Sequence, residues 1–224
     1  AAWMAPIPAA ADIREDMADF DRAYIPALAL TIEGLPDEAF KALRPVQRAW
    51  TVFKQHHYSS RTNDKAWRKD LDLVEALLFE ANAILNGRRY PELAREPLER
   101  VRAIMMDLRR RNGIDYYLDY LIAFHEPMAG ILRAAQGKGA GEDAVDRIRA
   151  LFTTAGVAWS RVLAVKPGPE FGLTDAQRER LQSMLDAESA ALAATRNALA
   201  ANDRSAILAA AAGLRTPFDR TYYL

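Results

Sequence analysis

Apolar side chains recur at every third or fourth position through eight successive stretches of this 224-residue chain, and that spacing leaves essentially one class of fold open to it. A helix turning about 100° per residue gathers such positions on one face, which exclusion from water drives inward. No run alternates with period two between turn signals, so no sheet is expected. The sequence predicts an all-α protein, an antiparallel helical bundle of about eight helices built as two similar four-helix segments.

Punctuation residues mark where each helix should start and stop. Asp12 followed by Glu15 is an N-cap pattern, and Ile13, Met17, Phe20, Tyr24 and Leu28 form the stripe of a first helix reaching about Gly34. Pro36 with Asp37 and Glu38 opens a second, with Phe40, Leu43, Val46, Trp50, Phe53 and His57 inward and a kink expected at Pro45. Asn63 is expected to cap a third helix carrying Trp67, Leu71, Val74, Leu78, Ala81 and Leu85, closed by Gly87. Pro91 begins a fourth on Leu98, Val101, Met105 and Leu108, ended by Gly113.

The second segment repeats the scheme. Tyr117, Leu121, Phe124, Met128, Ile131 and Leu132 follow Asp115, before a Gly-rich break over 137–141. Val145, Ile148, Phe152, Ala155, Trp159 and Val162 define a sixth helix over about 142–165, stopped at Pro167-Gly168-Pro169. Thr174 and Gln177 make a capping box for a seventh, on Leu181, Leu185, Glu188, Leu192 and Leu199. An eighth spans 203–214, and Thr216-Pro217 restarts a helical turn into Tyr222 and Tyr223. The expected layout is therefore an N-terminal stretch over 1–11, a first four-helix segment over 12–113 and a second over 114–224. Short connections favour antiparallel neighbours packed as one body.

Four echoes in consistent order point to duplication of a helical unit. Each segment has a proline in its first helix (Pro26, Pro127), an Ala-Trp pair in its second (Ala49-Trp50, Ala158-Trp159) and a long third helix. Leu108 and Leu214 are each followed by Tyr-Tyr-Leu eight residues on, and, apart from these four, Phe-Asp-Arg-x-Tyr occurs near both ends of the chain, at 20–24 and 218–222.

Composition removes several kinds of chemistry. Without cysteine there are no thiolate metal sites, disulfides, iron-sulfur clusters or covalent c-type haem. Thirty basic residues balance thirty acidic ones, so no global field recruits nucleic acid. The run Arg109-Arg110-Arg111 precedes Gly113 at a helix end, where cations complement the macrodipole. No run approaches the roughly 18 apolar residues needed for a membrane span. Ala1 to Ala11 is small and apolar, like the region around a signal-peptidase site, and predicts an exported, periplasmic protein.

Three histidines carry whatever imidazole chemistry the chain has. His57 continues the inward stripe of the second helix and His56 lies at its flank, a pattern that suits either a metal ligand or a histidine near a helix end satisfied by a carboxylate or a backbone carbonyl. His125 precedes Glu126, Pro127 and Met128, where proline frees the carbonyl of Ala123 and leaves irregular helix beside a His and a Met. Glu188 falls on an apolar stripe and needs a partner or a metal. His57, His125, Met128, Glu188 and His56 are thus the candidate metal ligands, for copper or iron.

No catalytic constellation is present: Glu-x-x-His, His-Glu-x-x-His, Gly-x-Ser-x-Gly, the Walker loop and Gly-x-Gly-x-x-Gly are all missing. The expected function is an exported, non-catalytic helical binding protein with a metal ion. One alternative is an interaction scaffold using Tyr116, Tyr117, Tyr120, Tyr222 and Tyr223 toward a protein partner. Another is a helical pocket for a small ligand or non-covalent haem. Tandem four-helix units in an exported chain resemble in layout the imelysin-like group, which is linked to periplasmic metal uptake. The Gly-x-His-x-x-Glu signature of that group is missing, because His125 is followed by Glu126, Pro127 and Met128.

Overall fold

The computed structural model describes residues 12–136, 141 and 143–214. Among them are eight α-helices and no strand: α1 (Ile13–Ile32), α2 (Pro36–His57), α3 (Trp67–Gly87), α4 (Arg95–Arg111), α5 (Tyr117–Ala135), α6 (Ala144–Ala164), α7 (Asp175–Ala201) and α8 (Arg204–Ala212). The chain divides into two compact units, 1–115 and 116–224. The N-terminal stretch 1–11, most of the Gly-rich break, and the turn at Thr216-Pro217 with Tyr222 and Tyr223 lie outside the described residues.

The apolar stripes are what the helices bury. Met17, Phe20, Tyr24 and Leu28 of α1 and Leu43, Val46, Trp50, Phe53 and His57 of α2 are all buried. So are Trp67, Leu71, Val74, Leu78, Ala81 and Leu85 of α3 and Leu98, Val101, Met105 and Leu108 of α4. Each large side chain so placed contributes about 1.5–3 kcal/mol relative to exposure, which outweighs the propensity cost of the aromatic and β-branched members. Pro45 and Pro26 lie on exposed sides of helices that continue through them. The carbonyl that each proline leaves without an intrahelical donor can take water instead.

Polar contacts fix the order of packing in the first unit. α1 packs on α2, α2 on α3, α3 on α4, and α4 returns to α1. Asp16, at the start of α1, meets His56 and His57 at the end of α2. Lys54 near the end of α2 pairs with Asp72 and Glu75 near the start of α3. Arg111 at the end of α4 reaches Asp64 and Asp70. Consecutive helices of this unit therefore run antiparallel.

Two helix ends differ from the sequence reading in an instructive way. α3 begins at Trp67, and the side chain beside its start that accepts a backbone N–H is that of Asp64, from Ala66 at 3.0 Å, not that of Asn63. A carboxylate accepts more strongly than an amide, and this one is held further by Asn112 Nδ2 at 2.9 Å and Arg111 Nη2 at 3.2 Å. At the other end the left-handed residue is Arg88, with φ 54°, and Gly87 stays helical. The fourth helix is preceded by a 3-10 turn, Pro91–Ala94.

In the second unit α5 packs on α6, and α8 packs against α5, α6 and α7. A Cβ on Gly130 would sit 2.9 Å from Leu151 Cδ1, so a larger residue there would require the Leu151 side chain to move. Thr174 and Gln177 form the full capping box at the start of α7, and Asp203 caps α8 through the N–H of Ala206. Tyr116 and Tyr117 are buried at the start of α5 against Phe171. Burial pushes the Tyr117 phenol up to about 12.

Two outcomes test this fold. Asp21 of α1 and Arg109 of α4 form a buried pair, with Nη1 and Oδ2 3.6 Å apart and Arg109 1% exposed. Arg109→Met removes the charge partner of the buried carboxylate and should destabilise the protein by up to about 3–5 kcal/mol in urea unfolding, whereas Asp21→Leu combined with Arg109→Met should regain much of that loss. A double variant no more stable than the single one would show that the pair is not the cause. The second outcome concerns acid. The hydrogen bond from Asn112 holds the Asp64 carboxyl below its ordinary value, as that from Lys54 does for Asp72. Their contribution is complete above the unfolded carboxylate pKa of about 3.9 and is lost as the pH falls through the lower folded values. Asp64→Asn should flatten this acid limb in thermal melts taken below about pH 4.

Candidate metal centre

Asp16 sits in the first turn of α1, started by the Asp12 side chain accepting from the Arg14 N–H at 2.8 Å. A carboxylate is favoured there by the positive end of the helix, as imidazoles are by the negative end of α2. Packing α1 antiparallel on α2 brings these two ends side by side. Asp16 Oδ2 lies 2.7 Å from His56 Nδ1 and 2.7 Å from His57 Nε2. An ionised carboxylate only accepts, so both rings direct N–H groups at one oxygen.

The two histidines differ in freedom. His57 is 4% exposed and its ring lies 4.9 Å from that of Phe53. Its backbone carbonyl, left without an intrahelical donor at the helix end, accepts from Trp67 Nε1 at 2.8 Å and from the Ser60 N–H and hydroxyl at 3.0 and 2.9 Å. His57 is thereby held from both sides. The His56 side chain is 41% exposed, with its ring edge-on to that of His57 at 5.9 Å. One ring is fixed and the other can adjust.

The three ligand atoms all lie within 4.8 Å of one another, and among the described residues no other group of three or more His, Asp or Glu meets that condition. First-row metals bind imidazole and carboxylate at about 2.0–2.2 Å, which implies edges of roughly 3.2–3.5 Å between ligands in a tetrahedral site. The two 2.7 Å edges at Asp16 Oδ2 are shorter than this, so both would have to open for an ion to sit between the three groups. Two nitrogens and one oxygen suit iron(II), copper(II) or zinc.

Of the five candidate ligands, the structure brings His56 and His57 together and adds Asp16, which the helical stripes do not single out. His125, Met128 and Glu188 belong to the second unit. His125 is half-buried and Met128 buried, one turn apart on α5. Glu188 of α7 is 0% exposed, and its neighbour Ser189 accepts from Trp159 Nε1 at 2.9 Å. The tyrosines considered as contact residues are distributed differently: Tyr116 and Tyr117 are buried, and Tyr120 is half-buried.

A signal for Asp16 is present in the sequence. Two helices of similar length joined at Gly34 make a hairpin, and the end of the second must lie opposite the first turn of the first. No helix among the described residues is long and apolar enough to cross a membrane. Comparison of the chain with protein-family models, with curated proteins and with solved structures finds no match.

Proposed function

We propose that the chain is a non-catalytic helical binding protein whose first unit holds one divalent transition-metal ion, iron(II) or copper(II), between Asp16, His56 and His57. The convergence of two imidazole nitrogens on a single carboxylate oxygen carries the reading. One histidine is enough to satisfy a buried-edge carboxylate, and the second makes a ligand set. Metal would replace the two ring protons at that oxygen, shifting each imidazole to its other tautomer. The donor set lacks sulfur, which favours copper(II) over copper(I).

The finer architecture belongs to the same proposal. Each unit is taken as an antiparallel four-helix bundle descended from one duplicated segment. Support comes from the Ala-Trp echo: Trp50 of α2 packs on Phe20 of α1 at 5.3 Å, and Trp159 of α6 packs on Phe124 of α5 at 4.8 Å. An exported location rests on the small apolar residues 1–11 and is tested by cell fractionation.

Titration of the metal-free protein with copper(II), and anaerobically with iron(II), should show one equivalent bound with a concentration-dependent rise in thermal midpoint. Ligand at 100 times its Kd adds about 2.7 kcal/mol. His56→Ala changes only an exposed side chain and should weaken binding at least tenfold without altering the metal-free melt. Asp16→Ala should do so more strongly. Uptake that is unchanged in both variants, or no uptake by the parent protein, sinks the proposal.

A further inference from the structure

The α2–α3 connection that clasps His57 also builds a pocket of opposite sign. Residues 58–68 form an open hollow of about 290 Å³ lined by Arg61, Lys65 and Arg68 together with Tyr58, whose hydroxyl donates to Asp72, and Ser59 and Thr62. Its volume lies at the lower bound of small-molecule clefts, about 300 Å³, so a small ligand is indicated.

The one carboxylate in the wall, Asp64, is committed elsewhere. Its Oδ1 accepts from the Ala66 N–H at 3.0 Å, and its Oδ2 accepts from Asn112 and Arg111. Its hydrogen bonds run to groups other than the three cations of the pocket. Arg68 is positioned by Ser59 Oγ at 3.2 Å and by stacking over the Tyr58 ring at 5.5 Å from its centroid. Among the described residues, Arg61 Nε is shielded from solvent and has no hydrogen-bond acceptor. Leaving that N–H without an acceptor is costly, and a turn of the Arg61 guanidinium toward the pocket would let an anion supply one.

We infer that this pocket binds a phosphate-class oxyanion, inorganic phosphate or the phosphoryl group of a small monoester. Arg61 and Arg68 supply planar donor pairs that match tetrahedral oxygens, Lys65 supplies a point charge, and Thr62 supplies a hydroxyl. The inference does not rest on the metal proposal, because none of these side chains is among the metal ligands.

The test is isothermal titration of the full chain with inorganic phosphate and, separately, with glycerol 3-phosphate. EDTA is present throughout, so that an anion coordinating metal at Asp16, His56 and His57 cannot give the signal. Saturable binding of either anion is expected, and the arm that binds more tightly identifies the source. Arg61→Gln combined with Lys65→Gln should weaken binding at least tenfold with an unchanged circular dichroism spectrum and thermal midpoint. Arg178→Gln with Arg180→Gln removes two charges from exposed positions of α7 and should leave binding unchanged. Failure of both anions to bind at millimolar concentration overturns the inference. So does equal weakening in the α7 control, which would reduce the effect to general electrostatics.

Discussion

A column of rings between the first two helices sets the register on which the rest of the first unit depends. Tyr24 stacks on Phe20 at 5.4 Å, Phe20 meets Trp50 edge-on at 5.3 Å, Trp50 stacks on Phe53 at 5.5 Å, and Phe53 lies 4.9 Å from the ring of His57. Such contacts add about 0.5–1.5 kcal/mol per aromatic pair beyond area burial, and they have shape. Sliding α1 along α2 by one turn, about 5.4 Å, would break the interdigitation. It would also carry Asp16 away from the histidines. The polar trio is thus a consequence of apolar registry, and its hydrogen bonds tighten an arrangement that the rings have already chosen.

The end of α2 is where apolar packing hands over to polar chemistry. His57 faces the core with its ring while its carbonyl is taken by the buried Trp67 indole, so one residue ties α1, α2 and α3 together. Immediately beyond, the chain turns through arginine, lysine and hydroxyl side chains, with Asp64 drawn off toward Arg111 and Asn112 at the end of α4. Charges of opposite sign are thereby sorted onto the two sides of one helix end. Carboxylate and imidazole suit a cation on the side facing α1, and guanidinium and ammonium groups suit an anion in the loop. A net charge of zero conceals this separation, because it sums over groups that the fold keeps apart.

How much of this is legible in the sequence depends on the range of the interaction. The stripes of α2 and α3 are readable residue by residue, because helical periodicity is local and core burial follows it. The box of Thr174 and Gln177 is readable for the same reason. Asn63 has the right residue type for a cap, but among the described residues no side chain caps α3, and the carboxylate just before its start, Asp64, is held by side chains at the end of α4 nearly fifty positions away. Gly87 has the right type for the left-handed terminator, which Arg88 supplies instead. Of the metal trio, the two histidines stand out by rarity, whereas Asp16 looks like one more acid in a helix's first turn. Its place beside the two imidazoles exists only once α1 and α2 are laid side by side.

The same reasoning bears on why one unit would hold metal and the other would not. Aligned on the Ala-Trp pairs, Phe53, His56 and His57 of α2 correspond to Val162, Val165 and Lys166 at the end of α6. The apolar step is kept at Val162, which is buried, while both imidazoles are replaced, one by an aliphatic side chain and one by a cation. A lysine ammonium repels the metal that an imidazole would bind, so the proposed duplication of the helices would not duplicate this ligand set. Packing constrains the Ala-Trp helix in both units, because removing its tryptophan would leave a cavity beside Phe20 or Phe124. Positions beyond the last apolar turn carry no such constraint. In such an architecture, binding chemistry can change at a helix end while the rings beneath it continue to fix the register.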